Sequence, residues 1–151
     1  MMALRSSFLL KSFVRTIGNK RELLPVSDVL IGKGGGYLSG LLSDDGVFSV
    51  DERLMITKDG ILTAEAKEKL LCSTAYFPSA QYFSIKNLLK RNVYDDDGCL
   101  LGVISDFIFD DEDKRLTALE VSQGFFVDLL NGRQILPVAH LYQKACGVTY
   151  D

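Results

Sequence analysis

The sequence has no tryptophan, one histidine, three prolines, three cysteines and no apolar run approaching the roughly 20 residues of a membrane span. Each shortage removes a class of function. A lone histidine, His140 in "PVAHL", cannot build a multi-histidine metal site, and Asp106 or Asp128 beside it would still lack a nucleophile with a local signature. His140 is therefore read as a structural residue at a strand end. Cys72, Cys99 and Cys146 are odd in number, far apart and without a Cys-x-x-Cys pair. They read as thiols of no assigned role in a reducing compartment, which makes the expected location cytoplasmic. The net charge of −3 argues against tight sequence-independent binding to nucleic acid, which needs a positive footprint. That charge is uneven: residues 1–75 sum to +1 and residues 76–151 to −4. Residues 1–21 hold Arg5, Lys11, Arg15, Lys20 and Arg21 and no acid, superficially like a transit peptide, but they read better as a first β-strand with solvated cations.

What is present is an ordinary globular composition, 47% apolar and 25% charged over 151 residues, enough for one average domain or two small ones. An internal repeat favours two. "VSDVLIGKGGGYLSGLLSDDGVF" (26–48) aligns without gaps on "ISDFIFDDEDKRLTALEVSQGFF" (104–126), pairing Val26 with Ile104, Ser27 with Ser105, Asp28 with Asp106, Leu41 with Leu119 and Gly46 with Gly124. Upstream, "LLK" at 9–11 matches "LLK" at 88–90. Downstream, Arg53, Met55, Ile56 and Ile61 are expected to match Arg133, Ile135, Leu136 and Leu141. The expected domains are residues 1–76, with a linker helix at about 64–73 capped by Thr63, and residues 77–151.

Each copy reads as short strands separated by turn chemistry, so the expected fold class is all-β, two tandem small open barrels joined by a short helix and linker. Asp97-Gly98 and Asn131-Gly132 are read as hairpin turns, the latter of type I′. Phe125 and Phe126 would point to opposite faces of a strand, one into the core and the other outward, with burial between the copies as its favoured use.

The candidate sites are read as structural. "GKGGG" (32–36) lacks the phosphate-binding grammar, since position 37 is Tyr37 and no G-x-x-x-x-G-K-[ST] occurs, and its counterpart "DDEDK" (110–114) is acidic; a hairpin tip is expected. "DDDG" (95–98) and "DDED" (110–113) lack the spacing of an EF-hand loop and read as solvated turns. Ser27 and Ser105 recur with the repeat and sit in no G-x-S-x-G. No catalytic, metal or cofactor residue is expected, and the partner-binding residues are not identifiable.

"LLKRNVYDDDGCLLGVISDFIFDDEDKRLTALEV" followed by "GRQILPVAHL" resembles a PRC-barrel domain, the matching positions being Asp95, Gly98, Leu101, Gly102, Val103, Asp106, Leu119, Pro137 and Val138. The first copy is a degenerate version, with Leu24 at the place of Gly102 and Thr57 at that of Pro137. Such barrels occur in the cytoplasmic part of the photosynthetic reaction-centre H subunit, in the ribosome-maturation factor RimM and in small stand-alone proteins. The chain shows neither the transmembrane helix of the first nor the additional barrel of the second. The resemblance implies a non-catalytic adaptor docking on protein partners, with homo-oligomers within its range. The alternative is a ribosome-assembly or RNA-associated factor whose basic N-terminal strand faces phosphate. The same basic residues would also suit a peripheral contact with anionic lipid.

Overall fold

Short runs of β-branched, leucine and aromatic side chains, broken every few residues by Gly or Asp, favour strands over long helices. The computed structural model describes residues 3–16, 23–65, 67–138, 141–144 and 147–150, and these are mostly strand. The elements are β1 (Ala3–Arg5), α1 (Ser6–Leu10), β2 (Phe13–Thr16), β3 (Leu23–Pro25), β4 (Asp28–Gly32), β5 (Leu38–Ser43), β6 (Gly46–Ser49), β7 (Leu54–Thr57) and β8 (Gly60–Thr63). There follow α2 (Lys67–Leu70), β9 (Leu71–Cys72), a 3-10 turn at Thr74–Tyr76, β10 (Tyr82–Ser84), α3 (Ile85–Leu88) and β11 (Asn92–Tyr94). The chain ends with β12 (Leu100–Asp110), β13 (Leu116–Ser122), α4 (Phe125–Asn131), β14 (Gln134–Pro137), β15 (Leu141–Lys144) and β16 (Gly147–Tyr150).

Two compact units result. The early unit is Ser6–Lys86, and the late unit is Asn87–Asp151 together with Met1–Arg5. The early unit holds sheets of order β10-β4-β5-β6-β9 and β3-β2-β8-β7. The late unit holds one sheet of order β14-β13-β12-β11-β16-β15, with β1 also on β12. The long β12 does in one run what β3 and β4 do in two. None of these sheets closes on itself among the described residues. Burial follows the period of two: in β2, Val14 and Thr16 are buried while Phe13 and Arg15 are exposed. Where both faces are covered the alternation vanishes, as from Asp106 to Phe109, all buried.

The ladders of the two units repeat one another. Asp28 opposes Leu42 in β4·β5, and 78 residues on Asp106 opposes Glu120 in β12·β13. Val14 lies parallel to Ile61, and Val93 parallel to Val148. The β7·β8 hairpin, Leu54 opposite Thr63, recurs 87 residues later as Leu141 opposite Tyr150. The downstream alignment expected from the sequence is corrected by these registers. Leu41 opposes Phe48 while Leu119 opposes Leu136, so Leu136 answers to Phe48 and Pro137 to Ser49, not to Ile56 and Thr57. The offset of 88 there, against 78 before it, marks ten residues inserted between β13 and β14.

Two short strands, β1 and β10, 79 residues apart, pair far from their sequence neighbours. Ala3, Leu4 and Arg5 of β1 pair with Asp110, Phe109 and Ile108, whereas Tyr82, Phe83 and Ser84 of β10 pair with Gly32, Ile31 and Leu30. Each short strand therefore joins a sheet built from sequence far from it, β1 in the late unit and β10 in the early one. For this reason the compact units divide at 86/87 and not at 76/77, and residues up to Arg5 go with the late one.

Four further expectations are corrected. The N-terminal region is not one strand: α1 separates β1 from β2 and buries Leu9. The linker helix is confined to α2, whose Leu70 is 2% exposed, and the chain leaves it as β9, because Leu71 and Cys72 pair with Phe48 and Val47. "GFFVDLLN" is helix α4, not a strand, and buries neither phenylalanine. Asn131-Gly132 closes that helix rather than a hairpin: Gly132, at φ 76°, donates its N–H to Asp128 O at 2.8 Å. A left-handed glycine serves a helix C-terminus as well as a type I′ turn, so the dipeptide alone does not choose between them.

Candidate functional site

The motif aspartate acts as an anchor for the distant strand. Asp28 is 9% exposed, and its Oδ1 accepts the N–H of Val29 at 2.7 Å and of Lys86 at 3.1 Å, while Oδ2 accepts Ser84 Oγ of the β10 strand. Asp106 is 4% exposed; its Oδ1 accepts the N–H of Phe107 at 2.9 Å, and Oδ2 faces Arg5 of β1 at 3.4 Å. A buried carboxylate is tolerable only when so paired. Ser27 and Ser105, one residue earlier, donate across the ladder to Leu42 O and Glu120 O at 3.1 and 3.0 Å. These are structural bonds in both copies. Gly102 is needed for close approach, because a Cβ there would sit 2.4 Å from Ser122 O.

Beside Asp106 lies a charge network. Glu120 accepts Arg5 at 2.5 Å, Arg133 at 3.0 Å and Ser105 Oγ at 3.2 Å. Burial pushes its carboxyl up, but the hydrogen bonds from Arg5, Arg133 and Ser105 outweigh that and leave it below the ordinary carboxylate range. Asp128 of α4 accepts Ser122 Oγ at 2.5 Å and the Gln123 N–H at 3.0 Å, and meets Arg133 at 3.5 Å. The Ser122 and Gln123 bonds hold its pKa down as well, with Arg133 adding to the effect. The sole charge of α4 is thus turned back onto its own unit.

The opposite face of α4 is bare. At 100° per residue, Phe125, Leu129, Phe126 and Leu130 form one apolar arc, and they are 74, 70, 77 and 81% exposed. They are the densest run of exposed large apolar side chains among the described residues. In the early unit the equivalent connection is a tight turn, with Ser43 Oγ bonded to Gly46 O at 3.2 Å. The fold can close without the insertion.

The remaining candidates are committed locally. In "GKGGG", the N–H groups of Gly32, Lys33 and Gly36 go to Tyr37 O, Gln81 O and Gly32 O, and Lys33 Nζ stands 4.8 Å from the Phe83 ring centroid. The "DDEDK" turn repeats the closure, Asp110 N–H to Arg115 O and Lys114 N–H to Asp110 O. Asp95 Oδ1 accepts the N–H of Asp97 and Cys99; Asp110 Oδ1 accepts those of Glu112 and Asp113. Among the described residues no group of three or more His, Cys, Asp or Glu is placed to hold a metal. Cys72 and Cys99 are free thiols, while His140, Cys146, Lys20 and Arg21 lie outside the described residues. Lys11 and Arg15 border a cleft of about 360 Å³ with Phe8, Phe13 and Leu23.

Residues 80–145 match the PRC-barrel domain, so a PRC-barrel domain is found over that stretch. The match begins before β10, the strand that pairs in the early unit. No curated protein matches the chain. No described helix is long and apolar enough to cross a membrane. Sequence reasoning singled out Phe125 and Phe126 but missed that Leu129 and Leu130 join them. The helical spacing i, i+1, i+4, i+5 over "FFVDLL" was the signal that could have found them.

Proposed function

We propose that the chain is a non-catalytic, cytoplasmic protein–protein interaction module built from two tandem PRC-barrel copies, the first degenerate, that have exchanged their opening strands. The repeated registers support the duplication, and the domain match over residues 80–145 names the module. The free thiols of Cys72 and Cys99 agree with a reducing compartment. The observation that carries the interaction reading is α4: an inserted helix with no buried residue and four large apolar side chains at least 70% exposed contributes little to its own unit's core. Such a surface is stabilised by a partner. The test is affinity purification with the wild-type chain and with Phe126→Asp/Leu130→Asp. A defined protein, an untagged copy of the chain included, enriched by the first and lost from the second supports the reading; no enrichment, or equal recovery by both, contradicts it.

A further inference from the structure

Among the described residues, the edge next to α4 is open in the late unit, while its counterpart in the early unit is covered. In the early unit β6 has β5 on one side and β9 on the other, with Val47 opposite Cys72 and Phe48 opposite Leu71. Its register counterpart β14 has β13 on one side and no strand on the other among the described residues. Val138 N–H donates to Thr117 O at 2.8 Å, so alternation turns the main chain of Gln134 and Leu136 toward β13 and that of Arg133, Ile135 and Pro137 outward. Edge strands are ordinarily protected by lysines, bulges or cover. Gln134–Pro137 has no charge, and Ile135 is 46% exposed. Arg133 is neutralised by Glu120 and Asp128.

We propose that this edge receives a second copy of the chain, β14 pairing antiparallel with the partner's β14 about a two-fold axis at Ile135. The inference rests on the interaction-module reading and names its partner. The outward groups are self-complementary under that axis. Ile135 and the partner's Ile135 exchange both N–H···O bonds. Arg133 N–H meets the partner's Pro137 C=O, and the donor missing from this pair is the one proline lacks. A four-residue strand pair is by itself too small, since stable interfaces bury about 1,200–2,000 Å² in total. The helix supplies the rest. Only Gly132 separates α4 from Arg133, so the two-fold sets each α4 alongside the far end of the partner's β14. Two phenylalanines and two leucines per copy, mostly exposed, add on the order of 1,000 Å² over the pair.

Sedimentation equilibrium of the full chain tests this. The expected result is a reversible dimer of the 16.7 kDa chain. Ile135→Lys sets like charges face to face across the axis and should weaken association at least about tenfold. An equimolar mixture of Ile135→Lys with Ile135→Glu should restore it as a heterodimer. Phe126→Asp/Leu130→Asp, whose side chains bear no load in the fold, should also weaken it. Circular dichroism confirms that each variant is folded. A monomer at every concentration, or a dimer indifferent to both sets of variants, overturns the proposal. So does a monomeric chain that floats with phosphatidylcholine vesicles through α4. If the wild type is monomeric yet captures a different protein lost on Phe126→Asp/Leu130→Asp, the dimer fails while the interaction module stands.

Discussion

Asp28 and Asp106 show how one residue type decides where a chain segment docks. Each is buried on the strand that receives the distant segment, and each holds that segment through its third residue, Ser84 or Arg5. Asp28→Ala would remove the carboxylate that accepts the Ser84 hydroxyl and the Val29 and Lys86 N–H groups, and is expected to cost about 1–3 kcal/mol in urea unfolding. The charge network makes the late unit sensitive to acid. Glu120 and Asp128 both have folded pKa values below their ordinary ones, so their contribution is full above about pH 4–5, the unfolded range, and is lost as pH falls through the lower folded values. Unfolding followed between neutral and strongly acid pH should show stability falling there, with a shallower slope in Glu120→Gln. The roles of Ser27 and Ser105 as fold residues were legible because they recur at matching places. Arg5 was not, because its partners Asp106 and Glu120 lie more than a hundred residues away in sequence.

Among the elements, β12 and β13 were readable as strands, since β-branched and aromatic content and turn residues point the same way across 26–48 and 104–126. The inserted α4 was not. "GFFVDLLNG" satisfies strand and helix patterns alike over so short a run, and its closing glycine suits either ending. Read as a strand, it hides the ten residues inserted between β13 and β14, and everything downstream then aligns out of register. Because α4 buries nothing within its own unit, Phe126→Asp is expected to change the stability of the dilute, monomeric chain by no more than about 0.5 kcal/mol, whereas Phe107→Ala, at a fully buried site, should cost about 3–5 kcal/mol. Scanning calorimetry of the two dilute variants side by side separates a surface helix from a core strand.

At the scale of the whole molecule, the likeness of 26–48 to 104–126 was visible in the sequence, but the pairing of β1 with β12 and of β10 with β4 was not. β1 and β10 are both three-residue strands with an apolar centre, so strand pattern alone does not say which of β4 and β12 each joins; Arg5, whose partner Glu120 has Leu42 as its register counterpart, does. Native-state hydrogen exchange of Leu4→Ala against wild type measures the choice directly, since Leu4 is 6% exposed and opposes Phe109. Protection should fall at Ile108–Asp110 and stay unchanged at Leu30–Gly32. Loss at Leu30–Gly32 with Ile108–Asp110 intact would place β1 on its own copy and contradict the exchange.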